Sequence, residues 1–362
     1  MRKRLLLSIA CLLAPPSVSA CTESDSSIRP GGPWTSGGAG IGNGGNTQGG
    51  SGASGGAGTV GEGIGGSGGA AGAAGETSGG AGVSDAGGAA GDAVRILGGY
   101  WPYWPDAPVR VSEVHPSYNL IYLFHALPVG GAPGTTGAVY WSAPGDGRGA
   151  ATHLVEDIGH ARKVQGRKII LTVGGAGAGM SFPNRAKSQA FVDSVVSIYA
   201  ELGGFDGLDW NTFEADQEPD TDEMIWISRT LKERFPGFLI TSPPAPWRER
   251  DKSFCAAMVQ NDALDYCAPQ YYDGPGLDDP DYVVGSVDEW VSLLGPTHVA
   301  VGFGVSDATN YMTIDEVVET WKRIRANHPT IRGAFDWQVH SDEADGWRFG
   351  STLGPLVAES SD

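Results

Sequence analysis

The chain has 362 residues and a formal net charge of −18, from 42 acidic residues against 24 Lys and Arg. That balance excludes nucleic acid and anionic lipid headgroups as partners, because both are held by clustered basic side chains. A neutral polysaccharide is compatible with it, since sugars are recognised by hydrogen bonds and stacking rather than by net charge.

At the N-terminus, Arg2, Lys3 and Arg4 precede an apolar stretch from Leu5 to Leu13, and small residues at Val18, Ser19 and Ala20 lead to Cys21. This is the pattern of a secretion signal over residues 1–20. Its apolar core is shorter than the roughly 20 residues that span a bilayer, and no second candidate follows. Val-Ser-Ala-Cys resembles a bacterial lipobox, which implies lipidation at Cys21; the plainer reading is ordinary cleavage after Ala20. Thr22 rather than an aspartate comes next, which in two-membrane bacteria points to the outer membrane. The expectation is an exported protein of the cell envelope, in contact with membrane only through an N-terminal lipid. Loss of residues 1–20 removes three basic groups, leaving 21 Lys and Arg against 42 acidic residues, a charge of −21.

Residues 21–92 read as a linker, because from Gly31 to Gly91 the sequence is nearly all Gly, Ala and Ser with little to bury. About 60 such residues have a random-coil span near 40 Å. Of the four cysteines, Cys11 and Cys21 fall in the signal and lipobox, leaving Cys255 and Cys267 in the folded part. They are read either as a bridge or as two buried thiols. No cysteine cluster of metal-binding type occurs, and no cofactor or metal is implied.

From residue 95 to 358 the character changes. Eight apolar, strand-like runs appear: Arg95–Trp104, Asn119–Leu127, Lys168–Gly175, Phe205–Asn211, Phe238–Trp247, Leu264–Asp273, His298–Ser306 and Gly333–His340. Between them, Thr152–Gln165, Lys187–Leu202, Thr221–Phe235, Val287–Leu294 and Ile314–Asn327 have helical spacing of apolar residues. Alternating strand and helix demands a parallel sheet, and eight strands close a barrel. The predicted fold is a single (β/α)8 domain of the α/β class. A doubly wound sheet would need a Gly-rich phosphate turn after the first strand, whereas that strand ends in Tyr100-Trp101-Pro102-Tyr103-Trp104.

In such barrels the active site lies at the C-terminal ends of the strands. Those ends carry Tyr100, Trp101, Tyr103, Trp104, Trp247, Tyr271, Tyr272 and Trp337, rings suited to stacking on the apolar faces of sugars. The competing reading is that some of them only plug the barrel or pack under loops. The fourth run, Phe205-Asp206-Gly207-Leu208-Asp209-Trp210-Asn211-Thr212-Phe213-Glu214, places acids where a buried strand should be apolar, which is costly unless they are paired or used. Alternation puts Asp209, Asn211 and Phe213 on one face, and Glu214 joins them only where the strand ends or bulges.

This run resembles the D-G-x-D-x-D-x-E motif of glycoside hydrolase family 18 chitinases. Asn211 stands for the third aspartate, Phe213 for the glutamate, and Glu214 arrives one residue later. Gly99-Tyr100-Trp101, Thr172-Val173-Gly174-Gly175, Gln270-Tyr271-Tyr272-Asp273 and Arg332-Gly333-Ala334-Phe335-Asp336-Trp337 resemble further family segments, so the resemblance extends over about residues 95–350. It implies substrate-assisted, retaining hydrolysis of β-1,4-linked N-acetylglucosamine glycans, in which one protein acid serves and the substrate's acetamido oxygen is the nucleophile. By resemblance Glu214 is the acid, kept protonated by Asp209 and by burial; Asn211 orients the acetamido N–H, and Tyr271 donates to the acetamido oxygen. Trp337 forms the floor of the cleft, and Tyr100, Trp101, Trp104, Trp247 and Gln270 complete the binding surface. The partner implied is chitin or another N-acetylglucosamine-containing glycan, met by a monomer. Short connections such as Tyr271 to Val284 predict a shallow, open cleft. A sugar-binding protein without turnover, with Phe213 in the acid's place, is the main alternative. A surface structural protein is the third.

Overall fold

The computed structural model describes residues 95–132, 134–211, 219–304 and 309–359. The signal, Cys21, the Gly-rich linker, Phe213 and Glu214 lie outside the described residues.

Ten strands form one sheet. They are β1 (Ile96–Pro102), β2 (Leu120–Pro128), β3 (Val139–Trp141), β4 (Lys168–Gly174), β5 (Gly207–Asn211), β6 (Leu239–Ser242), β7 (Tyr266–Cys267), β8 (Gln270–Tyr271), β9 (Ala300–Gly304) and β10 (Gly333–Trp337). Hydrogen bonding runs in the order β7-β6-β5-β4-β2-β1-β10-β9-β8, all parallel, with β3 antiparallel on β2. β7 and β8 are two halves of one strand, interrupted at Ala268 and at Pro269, which has no N–H for the ladder. β7 pairs with β6 and β8 with β9, so the ring closes. The eight expected runs are the eight barrel strands; the hairpin arm β3 is an addition the sequence pattern did not reveal.

The helices are α1 (Leu154–Lys163), α2 (Arg185–Glu201), α3 (Thr221–Arg234), α4 (Glu249–Gln260), α5 (Pro280–Leu294), α6 (Ile314–Asn327), α7 (Val339–Ala344) and α8 (Arg348–Ala358). α5 begins seven residues before the expected Val287, because Asp279 caps it by accepting from Asp281 N and Pro280 takes the first helical position. Thr313 and Glu316 make a reciprocal capping box that starts α6. No described helix is long and apolar enough to cross a membrane.

Two apolar layers result from strand alternation. Side chains on the outer face, such as Leu97, Trp101, Leu208 and Trp210, pack under the helices, while Tyr100, Tyr122, Phe124, Ile170, Tyr266, Tyr272 and Phe335 fill the barrel. Trp210 stacks on Phe191 of α2 at 5.0 Å and donates its indole N–H to Ser228 of α3 at 3.0 Å, which pins both helices to β5. Cys255 and Cys267 are buried free thiols in the outer layer.

At the N-terminal rim a single device recurs. Asn119, Asp206 and Asp265 each stand immediately before a strand and accept the N–H of the strand next door: Leu97 at 3.0 Å, Ile169 at 3.0 Å and Ile240 at 2.7 Å. Each side chain satisfies a backbone donor at a strand start. At the seam between β10 and β1 the approach is closer still. A Cβ on Gly333, whose φ is +148°, would lie 2.0 Å from the Ile96 carbonyl oxygen, so only glycine fits.

Candidate active site

Asp209 lies at the centre of the C-terminal half of the barrel, on the inner face of β5, and is 1% exposed. Its registered neighbours are Thr172 on β4 and Thr241 on β6. Thr241 donates to one carboxylate oxygen at 2.6 Å; Thr172 donates to the other at 3.2 Å, and Tyr100 reaches that same oxygen from β1 at 2.8 Å. Burial pushes the Asp209 pKa up to about 6, against the downward pull of the three hydroxyl bonds. The Tyr100 phenol is driven well above its ordinary range by burial and then by the Asp209 charge, so it keeps its proton and acts as donor.

Above Asp209 the inner rings form a continuous aromatic wall. Trp337, at the end of β10, lies parallel to Tyr272 at 6.2 Å and edge-on to Phe124 at 5.0 Å and to Tyr100 at 5.5 Å. Trp104 joins it at 6.2 Å, and both tryptophans are half-buried, so their faces are open to solvent in part. Gln270 donates to the Pro243 carbonyl at 2.6 Å and accepts from the Tyr272 hydroxyl. Asn211, half-buried, ends β5 two residues beyond Asp209 on the same face. Glu214 follows three residues later, outside the described residues.

Three expected contributors are placed elsewhere. Tyr271 is on the outer face of β8, fully buried, and donates to Ser286 of α5 at 3.0 Å. Its neighbour Tyr272 takes the inner face, because successive strand residues point to opposite sides. Trp101 is likewise outside the barrel, 0% exposed, with its indole N–H on the Val109 carbonyl at 2.7 Å; Tyr100 has the inner position. Tyr100 itself is a buried partner of Asp209 rather than an open stacking surface. Trp247, in the loop after β6, is 53% exposed with Arg248 over its ring at 5.8 Å, apart from the aromatic wall.

Other residues at this end were passed over in the sequence. Thr241 could have been found by alternation through Leu239–Ser242, and His125 as a lone imidazole in the apolar run of β2. His125 is buried, stacks on Phe124 at 4.2 Å and on Tyr103 at 5.5 Å, and bonds the Gly174 carbonyl through Nδ1. Burial lowers its pKa to about 4.

This closed parallel barrel is similar in fold to solved chitinases of glycoside hydrolase family 18. The chain is similar to a family GH18 chitinase from Chromobacterium violaceum at a TM-score of 0.63 and 21% identity, over 75% of this chain and 87% of that one. A family 18 chitinase from Crocus vernus matches at a TM-score of 0.53 and 14% identity, over 72% of this chain and 100% of that one. In sequence, the chain is 25% identical over 189 residues to chitinase Chi52 of Paenibacillus xylanexedens, 48% of this chain but only 33% of that protein's length. No family model matches the chain.

Proposed function

We propose that this chain is an exported glycoside hydrolase that cleaves β-1,4-linked N-acetylglucosamine glycans with retention, using the substrate's own acetamido group. The observation that carries the reading is the Asp209 carboxyl, buried at the C-terminal end of β5 and held by Tyr100, Thr172 and Thr241 beneath the Trp337 wall. A carboxyl held by hydroxyl dipoles, with a pKa of about 6, is suited to exchanging a proton with a neighbouring group near neutral pH.

In this reading a sugar lies on Trp337, bent so that its acetamido oxygen approaches the anomeric carbon. Tyr272, on the inner face, takes the donor role first expected of Tyr271, its hydroxyl turning from Gln270 to the acetamido oxygen. Glu214 gives its proton to the glycosidic oxygen as the bond from anomeric carbon to that oxygen breaks and the acetamido oxygen bonds to the carbon. The resulting oxazolinium N–H is oriented by Asn211 and its charge is balanced by Asp209. Glu214, now ionised, removes a proton from water, whose oxygen attacks the anomeric carbon and restores the acetamide. Trp104 and Trp247 supply further stacking faces along the glycan.

The test is hydrolysis of a fluorogenic N-acetylchitotriose derivative by the mature chain, with the product anomer read by NMR. Turnover with the β-anomer first, lowered roughly 10²–10⁴-fold by Glu214→Gln, supports the reading. Oligosaccharide binding without turnover, weakened by Trp337→Ala, replaces the hydrolase with a sugar-binding protein. Export with a lipid on Cys21 is part of the same proposal; Cys21→Ala is expected to release the protein from the membrane fraction and to abolish labelling by radioactive palmitate.

A further inference from the structure

The peptide joining Gly174 to Gly175 has partners on both sides. Its carbonyl accepts from His125 Nδ1, on β2, and its N–H donates to the carbonyl of Asn211, the last residue of β5. The two groups of a trans peptide point in opposite directions, so this one unit bridges β2 to β5 across the end of β4. A carbonyl can only accept, so Nδ1 carries the proton and the Nε2 of neutral His125 carries the lone pair. The pKa of about 4 keeps the ring in that neutral state.

The imidazole is held between the Tyr103 and Phe124 rings, tilted by 22° and 11° from them. Glycine at 175 is what lets the bridge close. With φ at +112°, a Cβ there would lie 2.6 Å from Phe124 Cζ and 3.0 Å from His125 Nδ1.

We propose that His125 is a positioning residue, whose Nδ1–H fixes the Gly174–Gly175 peptide and, through the Gly175 N–H, the Asn211 carbonyl where the chain leaves β5 for Glu214. Its catalytic consequence rests on the hydrolase reading; the backbone clamp does not. A ring that merely filled space would be replaced well by another ring. A clamp would instead be replaced by another donor.

Two variants of the mature chain separate these roles. His125→Phe keeps the ring and loses the donor; His125→Asn loses the ring and keeps an N–H where Nδ1 stood. For His125→Phe we expect Gly175 amide exchange to quicken at least about tenfold and kcat on the chitotriose substrate to fall roughly 10- to 100-fold, with KM within about twofold. His125→Asn is expected to recover most of both losses even with a lower Tm. Wild-type behaviour in His125→Phe, or equal losses in both variants that follow Tm, overturns the proposal. If the wild-type protein has no turnover, the hydrolase reading falls and the Gly175 exchange comparison alone decides the clamp. The ¹⁵N shifts of the wild-type imidazole give a check that needs no variant: a proton on Nε2 instead of Nδ1 overturns the assignment.

Discussion

Asp206, just before β5, and Asp209, within it, are three residues apart and have opposite surroundings. Asp206, at the N-terminal rim, is gripped by Arg162 at 3.0 and 3.3 Å, has Lys168 at 3.7 Å and accepts the Ile169 N–H. Asp209, at the C-terminal end, has three hydroxyl donors, and no cation among the described residues pairs with it. The first is a charge neutralised to join elements; the second is a charge held only by dipoles and raised to about 6. One end of the barrel stabilises, and the other keeps a proton available.

The sharpest break of that comparison exchanges each acid for its amide. Asp209→Asn is expected to lower turnover of the chitotriose substrate roughly 10²–10⁴-fold with the circular dichroism spectrum unchanged. Asp206→Asn should leave turnover within about twofold and cost about 1–3 kcal/mol of stability in urea titration, because it weakens charged hydrogen bonds to Arg162 and the backbone. Loss of turnover in Asp206→Asn at undiminished stability would erase the distinction between the two ends.

Protons give a second contrast. The Asp209 carboxyl ionises near 3.8 in the unfolded chain and near 6 in the fold, so between those values the folded protein binds more protons. Stability from this group is therefore greatest below the unfolded value and falls as pH rises through the window, by up to about 3 kcal/mol. Urea midpoints of wild type and Asp209→Asn, measured from pH 3.5 to 7, should differ most in their slope over this window. Parallel curves would place the Asp209 pKa at its ordinary value.

The same inner and outer logic separates two adjacent tyrosines. Tyr272→Phe removes the hydroxyl that donates to Gln270 and is proposed to turn to the acetamido oxygen, and should lower kcat about tenfold, the scale of losing one hydrogen bond made in the transition state. Tyr271→Phe removes only the bond to Ser286, with an expected cost of about 1 kcal/mol of stability and no change in kcat. The reverse pattern would return the donor role to Tyr271.

How far such distinctions can be read from sequence depends on what fixes them. The barrel was legible because eight apolar runs and the amphipathic segments between them carry their periods locally, and Asp209 because an acid inside such a run is costly wherever it points. The phase of a strand is different. A one-residue shift exchanges its two faces, and the choice between Tyr100 and Trp101, or between Tyr271 and Tyr272, is set by ladder register with strands distant in the chain. α4 went unseen because Glu249-Arg250-Asp251-Lys252 opens it with charges, and its apolar contacts, Phe254, Cys255 and Met258, span little more than one turn. His125 stands out as a lone imidazole in its run, but its role was hidden for another reason. Its partner is a backbone carbonyl, which leaves no mark in the sequence.

Phase also supplies the smallest test, on two tryptophans at equivalent strand ends. Trp337 presents a partly open ring on the inner wall, whereas Trp101 is 0% exposed with its indole N–H spent on Val109. Trp337→Ala should weaken binding of an N-acetylglucosamine oligomer by about 1–2 kcal/mol, the worth of one aromatic stacking face, as read by calorimetry on a turnover-deficient Glu214→Gln background. Trp101→Phe retains the apolar ring and loses one buried hydrogen bond, so binding should be unchanged while stability drops by about 1 kcal/mol. The pair isolates orientation from residue type: both are tryptophans at the C-terminal end of a barrel strand, and only the face on which each side chain emerges differs. Weakened binding in Trp101→Phe would mean that the cleft extends past the barrel mouth towards the segment carrying Val109, and that the outer layer at β1 contributes to the glycan surface.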